Sequence, residues 1–162
     1  YQPLNYEMIK EALEERFGGK WQIVIRLHNR LKKESRSWLN LLPSYVSDAT
    51  FYEDMQELLL CTDVGLTDYS SWIFDFVLSG KPGFIIELNL EDYENARGFY
   101  YPIDTTPFPI ATSSEELADN IRKFDAEKYA KDKDVFLAAR GCMEDGHASE
   151  RIVEKINELM AK

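Results

Sequence analysis

Short apolar runs of strand length alternate along this chain with longer segments of helical period, and that alternation limits the folds open to it. Trp21-Gln-Ile-Val-Ile-Arg-Leu27 is rich in β-branched residues, Asp63-Val-Gly-Leu-Thr67 and Gly83-Phe-Ile-Ile-Glu87 are brief runs, and a short strand is expected around Tyr45-Val46 within 44–50. Residues 4–17 carry Leu4, Met8, Ile9, Ala12, Leu13 and Phe17 at helical spacing, and Gly18-Gly19 stops that helix. Further helices are predicted at 52–61 (apolar side Met55, Leu58, Leu59), at Ser70 to Ser79, and at about 90–96, 114–123, 126–140 and 148–161. Gly80-Lys81-Pro82 closes the second of these, with glycine at the terminus and proline beyond. Such alternation predicts an α/β layer with a parallel sheet. Ligands of these sheets bind outside the carboxyl ends of the strands, so the residues after each strand are the ones to inspect.

The 162 residues are enough for one domain with a sizeable core, and 44% apolar residues exclude a disordered polymer. A formal net charge of −10 excludes a general nucleic-acid binder, which needs a basic footprint. The positive charges are nevertheless gathered: residues 26–36, Arg-Leu-His-Asn-Arg-Leu-Lys-Lys-Glu-Ser-Arg, sum to +4 against −14 for the rest. A basic cluster at a strand's carboxyl end suits an anionic ligand, phosphate foremost. His28 stands where an imidazole could donate to a phosphate oxygen or a leaving group. The alternative is a solvated basic loop with an incidental histidine. Cys61 and Cys142 belong to no metal or disulfide pattern, so they are expected to be small buried hydrophobes in a protein of a reducing compartment. No apolar run approaches the roughly 18 residues that a membrane span requires. Tyr1-Gln-Pro-Leu4 shows neither an initiator Met nor a signal-peptide pattern, so the chain reads as a fragment of a larger protein.

A second candidate is Thr67-Asp68-Tyr69-Ser70-Ser71, between a strand and a helix. Hydroxyls and backbone N–H groups gathered at a helix start make a phosphate site, although capping by Asp or Ser is the plainer use of one such residue. Asp75 follows Ser71 by one helical turn and interrupts an apolar run, so it faces either solvent or the crevice, where it could accept from ribose hydroxyls. The third candidate comprises Arg97-Gly98-Phe-Tyr-Tyr101 and Glu144-Asp145-Gly146-His147-Ala148-Ser149-Glu150-Arg151, polar glycine-containing turns beside helix ends. Taken singly, Gly98 ends a helix, Asp145-Gly146 starts the last one, whose apolar side is Ile152, Val153, Ile156 and Met160, and His147 faces solvent.

Together these segments resemble the CDP-glycerol glycerophosphotransferase family, the teichoic-acid primases and polymerases. The likeness runs through Arg26-Leu27-His28, Asp63 to Asp75 with Lys81-Pro82, Tyr93 with Arg97-Gly-Phe-Tyr100, and Asp145-Gly146 with Ala148-Ser149-Glu150-Arg151-Ile152. It implies a Rossmann-like parallel sheet flanked by helices, like the C-terminal half of a GT-B fold. Residues 1–162 would form a single donor-nucleotide-binding domain, beginning just after that half's first strand, with the acceptor-binding N-terminal half absent. It implies metal-independent transfer of a polyol phosphate, from CDP-glycerol or another CDP-polyol, to a hydroxyl of a wall or capsule polymer with release of CMP, and no cofactor. The isolated domain would be inactive.

By the same resemblance, His28 is the catalytic candidate at the donor's phosphates, with Arg26 as a further cationic donor. Thr67, Asp68, Ser70 and Ser71 fall on the phosphate-binding turn, and Asp75 suits the ribose. Arg97 and Gly98, with Asp145, Gly146, Ser149 and Arg151, would close the pyrophosphate side, and the segment from about Tyr45 to Met55 would meet the base. The general base and the lipid-linked polymer acceptor would belong to the absent half. The full-length protein is expected in the cytoplasm, peripherally attached at the inner face of a bacterial membrane, with no nucleic-acid partner. The family's usual His-Pro is His28-Asn29 here, which keeps the histidine and loosens the turn after it. Two alternatives stay open: a GT-B glycosyltransferase half using a UDP- or CMP-linked sugar, and a non-catalytic α/β interaction module.

Overall fold

The structure, a computed structural model, describes residues 4–28, 42–87 and 102–161. The expected helix at 90–96, the basic residues 30–36, and Arg97 with Gly98 lie outside the described residues. Helix α1 (Tyr6–Phe17) starts where the Asn5 side chain accepts from the Met8 N–H, and ends at Gly18, whose φ of 74° suits glycine. Its buried face, Ile9, Ala12 and Leu13, has the spacing of a helix stripe. Strands β1 (Ile23–Ile25) and β2 (Val46–Asp48) pair in parallel with Ile23 opposite Val46. Helix α2 (Met55–Cys61) follows, capped by Asp54, whose carboxylate accepts from the N–H groups of Gln56 and Glu57.

Strand β3 (Gly65–Thr67), helix α3 (Trp72–Phe76) and strand β4 (Gly83–Ile86) come next, followed after the undescribed segment by β5 (Ile110–Ala111). These strands form a second parallel sheet in the order β3-β4-β5, with Gly65 opposite Gly83 and Ile85 opposite Ile110. All four residues of β4 are buried, as expected of a central strand covered on both faces. Helices α4 (Ser114–Arg122), α5 (Ala126–Ala139) and α6 (Ala148–Met160) complete the described chain.

The core joins Ile9 and Leu13 of α1, Ile73, Phe76 and Val77 beside β3, Phe84 to Ile86 of β4, and Leu117 and Ile121 of α4. Helix α1 lies along α4. The Arg16 guanidinium fastens it by donating to the Phe124 carbonyl at 3.0 and 2.8 Å, and the Asn5 N–H donates to Ser114 Oγ at 3.0 Å. Gly65 lets β3 pass under α3: a Cβ there would stand 2.7 Å from two ring carbons of Phe76.

Four expectations need correction. The helix expected over Ser70 to Ser79 is a five-residue α-helix that tightens into a 3-10 turn, Val77–Ser79. The reason is local: Ser79 Oγ donates to the Phe76 carbonyl at 2.7 Å, and Gly80 takes a left-handed φ of 71°. Strand β5 was not expected, because two residues carry too little periodicity to register. Its pairing with β4 comes from the Pro109 and Ala111 carbonyls, which accept from Ile85 and Glu87 N–H groups at 3.0 and 2.7 Å. Both cysteines are exposed rather than buried, Cys61 on the last residue of α2 and Cys142 just past Gly141 at the end of α5. Lastly, α6 has no buried residue, so its apolar side faces outward.

Candidate functional site

The parallel strands deliver the candidate residues in three groups. The first lies at the carboxyl end of β3. Thr67 is buried and its Oγ1 accepts from the Ser70 N–H at 3.3 Å, while the Asp68 carboxylate accepts from the Tyr69 N–H at 2.7 Å. Two of the backbone donors that this turn could offer an anion are therefore engaged within the turn. Ser71 precedes α3 without a side-chain capping bond, so capping does not account for its hydroxyl. Ser70, Ser71 and Asp75 are exposed, and a turn that presents two hydroxyls and a carboxylate on one rim can bind phosphate oxygens beside sugar hydroxyls. The motif's Lys81 works elsewhere: its ammonium donates to the Leu60 and Thr62 carbonyls at 2.8 and 2.7 Å, clasping the end of α2 to the turn before β4.

The second group follows β1. His28 is exposed, one residue beyond Leu27, whose N–H donates to Thr50 Oγ1 at 3.2 Å. Arg26 is half-buried, and its Nη1 donates to the Ala49 carbonyl at 3.2 Å and to the Tyr52 carbonyl. Thr50 is fully buried and its N–H donates to Asp48 Oδ1 at 2.7 Å. Neither Thr50 nor this use of Arg26 was signalled by the sequence, because both bonds join segments more than 20 residues apart. The Tyr52 hydroxyl donates to Glu57 at 2.6 Å, which raises the phenol above its ordinary pKa.

The third group surrounds the start of α6. The Asp145 carboxylate takes Arg151 Nη1 at 2.6 and 2.8 Å and the His147 N–H at 2.9 Å, while Arg151 Nη2 donates to the Met143 carbonyl at 2.7 Å. The arginine, then the backbone N–H, hold the Asp145 carboxyl below its usual range. Gly146 has a φ of 83°, which lets the turn close between the two charged residues. Ser149 and His147 are exposed, and His147 Nδ1 lies 3.0 Å from Glu150. Among the described residues, no hydrogen bond or ion pair joins this group to the β3 turn. Nor do they include a group of three His, Cys, Asp or Glu placed to hold a metal ion.

Comparison with known proteins decides which family this arrangement serves. The profile of the family described as CDP-Glycerol:Poly(glycerophosphate) glycerophosphotransferase matches residues 3–158. The chain belongs to that family. Among curated relatives of this glycerophosphotransferase family member, the teichoic acid glycerol-phosphate transferase of Staphylococcus aureus (strain NCTC 8325 / PS 47) is 31% identical over 157 residues, 94% of this chain and 39% of the relative. A teichoic acid poly(ribitol-phosphate) polymerase of Bacillus spizizenii (strain ATCC 23059 / NRRL B-14472 / W23) is 35% identical over 146 residues, 81% of this chain and 23% of the polymerase. The teichoic acid ribitol-phosphate primase of the same strain is 29% identical over 159 residues, 98% of this chain and 39% of the primase. Among the described residues no helix is long and apolar enough to cross a membrane.

Proposed function

We propose that this chain is the donor-nucleotide-binding domain of a CDP-polyol phosphotransferase. In that reading residues 1–162 form one Rossmann-like domain, and a further domain outside this sequence binds a lipid-linked polymer at the inner face of the bacterial membrane. The observation that carries the reading is the family match across residues 3–158, over a fold whose strand ends present the Ser70–Ser71 turn and His28.

The chemistry asks little covalent work of the protein. An acceptor hydroxyl attacks the phosphorus that bears the polyol, the bridging P–O bond of the pyrophosphate breaks, and CMP leaves with the electron pair. The attacking hydroxyl's proton passes to a base outside this domain. What the domain supplies is position and compensation for charge developing on the leaving phosphate. His28 donates to that phosphate, the Ser70 and Ser71 hydroxyls hold the pyrophosphate oxygens, and Asp75 accepts from the ribose. Arg97 and Gly98, with Asp145, Gly146, Ser149 and Arg151, close the far side.

Two measurements test the reading. CDP-glycerol and CMP should raise the melting temperature of the chain, and UDP-sugars should not; stabilisation by UDP-sugars alone would transfer the protein to another donor class. In the full-length enzyme, His28→Ala should slow transfer about a hundredfold, the loss typical of removing one donor from a developing anion. Turnover close to wild type with the fold intact would remove His28 from the mechanism.

A further inference from the structure

The loop leaving β2 carries two large aromatic residues side by side at the surface, Phe51 at 51% and Tyr52 at 44% exposure. Adjacent exposed rings are notable where lone exposed apolar residues are not. This loop is also tightly fastened. The Ala49 N–H donates to the Ile25 carbonyl at 2.8 Å and the Tyr52 N–H to the Ala49 carbonyl at 3.0 Å. Thr50 is buried beneath it with both its N–H and its hydroxyl bonded, and Arg26 Nη1 reaches the carbonyls at the loop's two ends, Ala49 and Tyr52. The Tyr52 hydroxyl is itself held by Glu57. The result is a pair of rings on a stiff backbone, at the carboxyl ends of two parallel strands, in the segment tied to residues 26 and 27 and so next to His28.

Charge indicates which part of a nucleotide would lie there. Glu53, Asp54 and Glu57 follow the rings directly and are all exposed. Such a rim repels a pyrophosphate, while a carboxylate readily accepts from the exocyclic amine of cytosine. A flat ring bearing N–H donors fits both features, and stacking on an aromatic side chain binds any base by its π-face.

We infer that Phe51 and Tyr52 form the shelf on which the donor's nucleobase stacks, and that Arg26 is a positioning residue for this shelf rather than a phosphate ligand. The inference rests on the donor-binding reading above and adds to it the surface that meets the base. It is tested by calorimetric titration of the 162-residue chain with CMP and with ribose 5-phosphate, which shares the sugar and phosphate but lacks the base. Phe51→Ala and Tyr52→Ala should each weaken CMP about tenfold and leave ribose 5-phosphate within about twofold. Tyr52→Phe keeps the ring and should retain CMP affinity. Arg26→Ala should reproduce the base-selective loss, whereas a phosphate ligand would weaken both probes alike.

Equal losses for the two probes in Arg26→Ala would overturn its positioning role. Wild-type CMP affinity in both alanine variants of the rings would overturn the shelf while leaving the donor site standing. A wild-type chain that binds neither probe would defeat the donor-site reading, and the shelf with it.

Discussion

Gly65 and Asp145 are each constrained by a neighbour that is remote in sequence or hidden by a turn. The ring of Phe76 is 1% exposed and occupies the space a side chain at position 65 would need, with a Cβ reaching 2.7 Å from its carbons. Gly65→Ala should therefore cost about 1–3 kcal/mol through overpacking, read as a fall in melting temperature of about 3–10 °C for a chain of this size. At Asp145 the constraint is electrostatic. Its carboxyl is held below the model value of 3.8 by Arg151, so the interaction stabilises the fold above that value and is lost as pH falls through the lower folded one. In a carbon-detected titration Asp145 should ionise below 3.8, and Arg151→Gln should move the midpoint upward; an unmoved midpoint would mean that the ion pair does not form in solution. The sequence marked Asp145 and Arg151 as candidates but not as each other's partners, because the turn at Gly146 brings together residues six apart. Arg26 was hidden in the same way: its basicity is visible in a string of letters, and its carbonyl partners at Ala49 and Tyr52 are not.

Elements were more legible than residues wherever one face is buried. The stripe Ile9, Ala12, Leu13 marks α1, and the unbroken run Gly83–Ile86 marks the covered strand β4. Legibility fell where local bonding rather than burial sets the limit, as in the shortening of α3 by Ser79 and Gly80. A capping pattern around Ser113 defines the start of α4: Ser113 Oγ accepts from the Glu116 N–H at 3.1 Å, and the Glu116 carboxylate accepts from the Thr112 N–H and hydroxyl, each at 2.8 Å. Helix α6 contrasts with it. Leu117, Ala118 and Ile121 of α4 are buried, whereas no residue of α6 is. Thirteen residues without tertiary support are close to the limit of helix stability in water. Amide hydrogen exchange should therefore run about a hundredfold faster in the middle of α6 than in the middle of α4, and equal protection would show that α6 is held after all.

At the scale of the whole molecule, the alternation of short strands and helices was sufficient to indicate an α/β arrangement with parallel pairing, because a chain of this period has few other ways to cover its apolar runs. Its division into the sheets β1-β2 and β3-β4-β5 was not legible, since strands of two to four residues say nothing of their neighbours. The acidic excess also takes on a local meaning. The chain carries −14 outside residues 26–36, and part of that charge, Glu53, Asp54 and Glu57, stands beside the paired rings of Phe51 and Tyr52. The outward face of α6 has a consequence for how substitutions can be tolerated. Ile152, Val153, Ile156, Leu159 and Met160 are between 49% and 81% exposed, so none of them supports the packing of this domain. A saturation scan scored on the abundance of folded protein should be nearly silent across them, as it is for ordinary surface positions. Any of the five that becomes intolerant when the same library is scored on polymer synthesis would owe that intolerance to a contact made outside this fold.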